Sequence, residues 1–465
     1  MILTKHLKYK DYYISNDRFW GLGIEHETYL CIDELRVVSV NDMVTKINRE
    51  RYSVNYFQSY KNDEYKNAIL DIFTDRTQLI KIPILLNAYG LQRCDYNGNH
   101  ETTYSKIPRK NIAFEKSIWN DLCEKDSWFI KNNEKTFIFD GDTLEFVTCK
   151  FYKATIKNVI DEYTTIKRKW LKHFKRIFEK VNTTSGYKKI NLATINYPFA
   201  SYTTNPTNVA LFNNGTLHIN ITLPTKLNAT AEIENLDTFT NQHRVLARIL
   251  QWVEPLWAAI YGTPDPLSAS SKYGGRFSKS SQRCAVSRYI GIGTYDTNTM
   301  PKGKILQIDG DKKYSWIPSQ ASGSDTSNDN NNGYSYQDKI GLDINFNKHY
   351  NHGLELRFFD QMSLMCLKQV LDVVIYLADL SLTHTTFPNP VESEIWKAVT
   401  KKILMLGKDY LLTKDEYTIW ISIFGLDISL CKGQSMTVQE LYNLLVTLLP
   451  KLPSVKNGIC SKVFN

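Results

Sequence analysis

The sequence predicts an α+β fold, an antiparallel β-sheet with an open charged face, backed by helices and followed by a mostly helical C-terminal region. Three observations lead there. Four strand-like segments between residues 20 and 361 alternate apolar and polar side chains, segments 157–181 and about 242–261 carry apolar residues at helical spacing, and apolar stripes of helical period dominate from Met362 onward.

The first strand is WGLGIEHETYL, residues 20–30. On a strand Gly21, Gly23, Glu25, Glu27 and Tyr29 share one face, and Leu22, Ile24, His26, Thr28 and Leu30 share the other. Glu25 and Glu27 then stand about 7 Å apart, where like charges repel unless a cation lies between them. The glycines on their face leave room for a ligand to approach the backbone. His26 points away from the carboxylates, which favours a buried or interfacial role over metal ligation.

Three further strands repeat the pattern. FIFDGDTLEFVTC, residues 137–149, turns at Asp140-Gly141-Asp142 and then sets Thr143, Glu145 and Val147 opposite Leu144 and Phe146. GTLHINITLPT, residues 215–225, sets Thr216, His218, Asn220 and Thr222 opposite Leu217, Ile219, Ile221 and Leu223. In HGLELRFFDQ, residues 352–361, Glu355 and Arg357 oppose Leu354, Leu356 and Phe358. Taken singly, each polar face also reads as the solvent side of an antiparallel strand. Taken together they combine carboxylates, an imidazole, an amide and a guanidinium, the donor inventory of a divalent-metal and phosphate site.

The helices and loops follow the same logic. In residues 157–181, Ile160, Tyr163, Ile166, Trp170, Phe174 and Phe178 form a stripe with Lys and Arg between them, an amphipathic helix whose basic outer face reads as solvated. The second helix, about Gln242 to Tyr261, contains Pro255 and stops at Gly262-Thr-Pro264. Residues 261–296 form a Gly- and Ser-rich loop bearing Arg276, Lys279, Arg283 and Arg288, groups that suit polyphosphate or acyl-phosphate oxygens. Residues 309–338 are polar and aperiodic, a flexible insertion that is either disordered or a lid. The organisation expected is a core over 1–383 and a helical region over 384–465 packed on it.

Composition excludes some classes. The chain of 465 residues is 42% hydrophobic, with eight singly spaced cysteines and a formal charge of +9. No CxxC pair or zinc-ribbon spacing occurs, so the thiols are expected reduced. Neither a signal-peptide core nor a run long enough for a membrane helix is present, which predicts a soluble, cytoplasmic protein with no membrane partner. The charge favours anionic partners. No recognisable nucleic-acid motif accompanies it, which argues against DNA or RNA.

In their order, GIEHE, DGDTLEFVT, LHINITLPT, YGGRFSKSSQR and LELRFFD resemble the motifs of the carboxylate-amine ligase family, the amidoligases and glutamate-cysteine ligases related in fold to glutamine synthetase. The resemblance spans about residues 20–360 and implies a curved antiparallel sheet holding ATP and two or three Mg²⁺ ions, with Mn²⁺ as an alternative. ATP would phosphorylate a small-molecule or peptide carboxylate, and an amine would displace phosphate to give an amide or isopeptide bond. Matched motif to motif, Glu25, Glu27, Glu145, Glu355 and His218 would be metal ligands; His218, Asn220 and Lys279 would contact the nucleotide or its ions; and Arg357 with Arg276, Arg283 or Arg288 would hold the transferring phosphoryl group. Many relatives carry HVH where this chain has Leu217-His-Ile-Asn220, so an amide takes the second inward position. The alternative readings are a phosphoryl transferase on a related scaffold and a non-catalytic basic nucleic-acid-binding or structural protein.

Overall fold

The computed structural model describes residues 18–39, 77–84, 118–133, 135–140, 143–181, 190–194, 216–230, 232–263, 281, 297–298, 344–345, 353–427, 429, 431 and 433–465. The insertion expected at 309–338 and the residues Arg276, Lys279, Arg283 and Arg288 lie outside them.

The alternating segments form neighbouring strands of one antiparallel sheet. Its order is β4 (Phe137–Asp140), β5 (Thr143–Val147), β1 (Arg18–Thr28), β7 (Leu217–Lys226), β9 (Leu354–Phe359) and β8 (Ile344–Asn345). The register sets Glu27 opposite Glu145, Glu25 opposite His218, and Asn220 opposite Glu355. A register shift between β7 and β9 pairs Leu217 with Phe359 but Ile219 with Leu356. That extra residue in β9 is a bulge, and it lets consecutive Phe358 and Phe359 both reach the helix layer. Their rings lie 5.9 and 5.5 Å from that of Trp257.

After Tyr29 the chain leaves this sheet for a second one. There β2 (Leu30–Ser39) pairs with β3 (Thr77–Ile84) on one side and β6 (Ile190–Leu192) on the other.

Helices cover the apolar face. The short α1 (Ile118–Lys125) and α2 (Ser127–Asn132) precede α3 (Ile156–Val181), which buries Tyr163, Ile166, Trp170 and Phe174. Trp170 meets Phe146 of β5 edge-on at 6.1 Å. Next come α4 (Leu236–Tyr261) and α5 (Leu364–Ser381). Helix α4 begins at Leu236 rather than near Gln242 because the Asn235 side chain accepts from the Thr238 amide at 2.8 Å, a cap worth about 1 kcal/mol. Pro255 is accommodated inside it, and the helix stops at Gly262 as expected.

The C-terminal region is α6 (Glu394–Leu406), β10 (Leu411–Thr413), α7 (Lys414–Ile423), β11 (Ser435–Thr437), α8 (Val438–Leu448), α9 (Pro453–Lys456) and α10 (Ile459–Phe464). The two short strands pair antiparallel, and each ends in the threonine of a capping box, Thr413 with Glu416 and Thr437 with Glu440. The region is fused to the core. Trp420 donates to the Trp252 carbonyl at 2.7 Å, Trp257 donates to the Tyr442 hydroxyl at 3.0 Å, and Asp379 accepts from the Cys460 and Ser461 amides at 2.6 and 2.8 Å. One apolar cluster runs from Leu22 to Phe464. Among the described residues no helix is long and apolar enough to cross a membrane.

Candidate functional site

Four adjacent strands bring the polar residues to one face: Glu145 from β5, Glu25 and Glu27 from β1, His218 and Asn220 from β7, Glu355 and Arg357 from β9. One ligand atom each of Glu25, Glu145 and His218 lies within 4.8 Å of the others. Two ligands on opposite sides of a magnesium ion stand about 4.2 Å apart, so a small side-chain movement closes this set on a divalent cation. Glu27 and Glu145 face each other directly across the strands, an arrangement that costs stability unless a cation offsets it. Asn220 Oδ1 is buried on the same face with no hydrogen-bond partner among the described residues. Such an orphan acceptor fits an ion or a donor from a ligand.

A hydrogen-bonded chain fixes the imidazole. Thr216 donates to Glu27 Oε2 at 3.1 Å, and its Oγ1 lies 2.6 Å from His218 Nε2. The hydroxyl has one proton and spends it on the carboxylate, so it accepts from His218, which therefore carries its proton on Nε2. Nδ1 is left facing two carboxylates, Glu25 at 3.4 Å and Glu355 at 3.5 Å. A lone pair among carboxylates is a place for a cation, whether a metal ion or a proton. Arg357 closes the group, 3.6 Å from Glu355.

Two expectations need correction. The polar face is not open: His218, Asn220, Glu27 and Glu355 are buried, and the Arg357 side chain keeps 25% of its exposure and that of Glu25 15%. Nor do the glycines make room for a ligand. A Cβ on Gly21 would sit 1.9 Å from the Phe151 ring, and one on Gly23 would sit 2.9 Å from it. After β5 the chain runs on beside β1, with the Leu22 amide donating to the Phe151 carbonyl at 3.0 Å. The close approach the glycines permit is to this chain's own phenylalanine.

His26 lies on the opposite face, against α3. The Lys167 ammonium donates to the Tyr163 hydroxyl at 3.0 Å, which in turn donates to His26 Nδ1 at 2.7 Å. Burial, with the Lys167 charge beside it, holds the His26 imidazole well below the usual histidine range, so it is neutral at pH 7. Burial likewise pulls Lys167 down to about 8. This lysine therefore departs from the solvated basic face expected of its helix.

Of the residues singled out in the sequence, Glu25, Glu27, Glu145, His218, Asn220, Glu355 and Arg357 converge, whereas Arg276, Lys279, Arg283 and Arg288 fall outside the described residues. Sequence reasoning missed Thr216 as a site residue. Its position two residues before His218, on the same face, was the available signal.

No protein-family model matches the chain. It is 32% identical over 462 residues to a protein of Acanthamoeba polyphaga mimivirus, "Uncharacterized protein R704", an alignment covering 98% of this chain and 78% of that one.

Proposed function

We propose that this chain, which belongs to the same family as the mimivirus protein R704, is an ATP- and Mg²⁺-dependent carboxylate-amine ligase built on a glutamine synthetase-like core. The observation that carries the reading is the meeting of Glu25, Glu145 and His218 with Glu27, Glu355 and Arg357 on one face of four adjacent antiparallel strands.

The chemistry requires such a group. A carboxylate is a poor acyl donor because its leaving group would be oxide, and transfer of the ATP γ-phosphoryl group to it supplies a better one. An amine then attacks the acyl carbon, forms the C–N bond and expels phosphate. Glu25, Glu145 and His218 would hold the divalent ion, which when bound neutralises polyphosphate charge. Glu27 acts through Thr216 to fix the His218 tautomer. Arg357 is suited to orient phosphoryl oxygens and offset the charge that develops on them. Enclosure of most of the polar face lowers the local dielectric and strengthens each of these interactions.

The test is ADP release with Mg²⁺ across a panel of acid and amine pairs, with products read by mass spectrometry. Amine-dependent ADP release accompanied by an amide product, abolished in Glu145→Gln and Arg357→Ala, is expected. ADP formation with a stable phosphorylated acceptor and no amide would make the protein a phosphoryl transferase. Undiminished activity in both variants would remove the site assignment.

A further inference from the structure

On the helix-covered side of the sheet, α3 and β6 border a groove of about 670 Å³. Its lining carries five cations, Lys167, Arg168, Lys172, Lys175 and Arg176, over a floor of Leu171 and Leu192. We propose that this groove binds the phosphate backbone of a nucleic-acid strand, without reading its sequence.

Three features of the groove support that occupant. The cations recur at each turn of one helix face, 167/168, 172 and 175/176. At the rise of an α-helix this places successive charges roughly 5–7 Å apart along the axis, comparable with the interval between consecutive phosphates of one strand. Among the described residues the charge is little compensated: Arg176 pairs with the Asp126 carboxylate at one end, whereas Lys167 at the other meets the neutral Tyr163 hydroxyl and His26 ring. Burial lowers Lys167 to about 8, and an anion beside it would offset that cost and favour its charged form. Finally, the indole of Trp128 is already stacked, by His173 at 4.2 Å and by Phe137 at 5.6 Å, so among the described residues this ring is engaged and offers no free platform for bases. Contacts confined to phosphates bind strongly and carry no sequence information.

The sequence argued against nucleic acid because it holds no recognisable motif. The five cations belong to the basic face of α3 that the helical period already shows; what the period does not show is that β6, the next strand along the chain, packs Leu192 beside that face.

The proposal does not depend on the ligase reading, and its test uses neither ATP nor Mg²⁺. Fluorescence anisotropy of a labelled mixed-sequence single-stranded DNA of about 20 nucleotides is followed from about 50 to about 200 mM salt. The full chain is compared with Arg168→Glu/Lys172→Glu/Lys175→Glu, all exposed positions, and with a charge-matched control, Lys408→Glu/Lys451→Glu/Lys456→Glu, on exposed lysines of the C-terminal region. The groove variant should lose binding at least about tenfold, and the slope of log K against log salt should flatten by about 2, roughly 0.7 for each phosphate contact removed. The control should bind like the parent, and a scrambled sequence should bind equally well. No measurable binding by the parent, equal losses in both triple variants, or tighter binding of polyglutamate than of DNA would each overturn the proposal. Circular dichroism of both variants checks that the fold is retained.

Discussion

The Thr216 hydroxyl stands between His218 Nε2, at 2.6 Å, and Glu27 Oε2, at 3.1 Å, and so dictates which ring nitrogen carries the proton. Thr216→Val keeps the side-chain shape and removes the bridge. Two buried polar groups lose their partner, so the variant should be destabilised by about 1–3 kcal/mol. Mn²⁺ affinity, read by isothermal titration, should fall about 10- to 100-fold, as when a group that orients a metal ligand is lost. Unchanged Mn²⁺ affinity would show that His218 is no ligand or needs no orienting.

Glu27 and Glu145, directly opposite on β1 and β5, give a sign reversal to look for. Without divalent ions Glu145→Gln relieves like-charge repulsion and should stabilise the protein by up to about 1 kcal/mol. With saturating Mn²⁺ the parent should become the more stable of the two, because binding to the native state adds stability by mass action. Melting curves with chelator and with Mn²⁺ check both halves, and a shift of the same sign in each would refute a shared cation.

Mn²⁺ should bind this protein more tightly than Mg²⁺. The set of Glu25, Glu145 and His218 includes an imidazole, which Mg²⁺ takes poorly and a first-row transition ion accepts. Competition of Mg²⁺ against Mn²⁺, followed by the paramagnetic resonance of free Mn²⁺, measures the ratio; equal affinities would take His218 out of the ligand set.

The four strands that carry the site were legible because period-two alternation holds through their polar residues: Glu25 and Glu27, Glu145, His218 and Asn220, and Glu355 and Arg357 each share a face within their strand, whereas the bulge at Phe358 and Phe359 and the two-residue β8 show no period. The enclosure of that face was not legible. Phe151 follows β5 in sequence, and only the pairing of residues 148–153 with β1 brings its ring over Gly21 and Gly23. Helical period alone ranks Lys167 with its solvated basic neighbours, and its inward turn depends on Tyr163 and His26 lying beside it. The β10–β11 ladder was too short for any periodicity, although the Thr-x-x-Glu boxes after each strand marked the helices that follow.

The Phe151 contact can be tested by overpacking. Gly21→Ala places a methyl group inside the van der Waals radius of the ring and should cost about 1–3 kcal/mol in urea unfolding. Gly23→Ala, with more space, should cost less. Phe151→Leu should recover part of the Gly21→Ala loss in the double variant. Strict additivity of the two changes would mean that the ring is not what excludes the side chain.

Burial of Lys167 and His26 sets a pH dependence whose sign is the same for both. Lys167 titrates at about 8 in the folded chain against 10.5 for an ordinary lysine, so between those values the unfolded chain binds the extra proton and stability rises with pH. Below about 8 the full cost of a buried ammonium is present, on the order of 3 kcal/mol. His26 is depressed too, so its contribution is fully present above the ordinary histidine value of about 6.5 and is lost as pH falls below it. Lys167→Met should therefore raise stability at pH 7 and abolish the rise between about 8 and 10.5, while leaving the acid limb in place. Urea unfolding at a series of pH values distinguishes the two limbs. A parent protein whose stability is flat or falling from pH 8 to 10 would show that Lys167 keeps its charge through a contact with an anion.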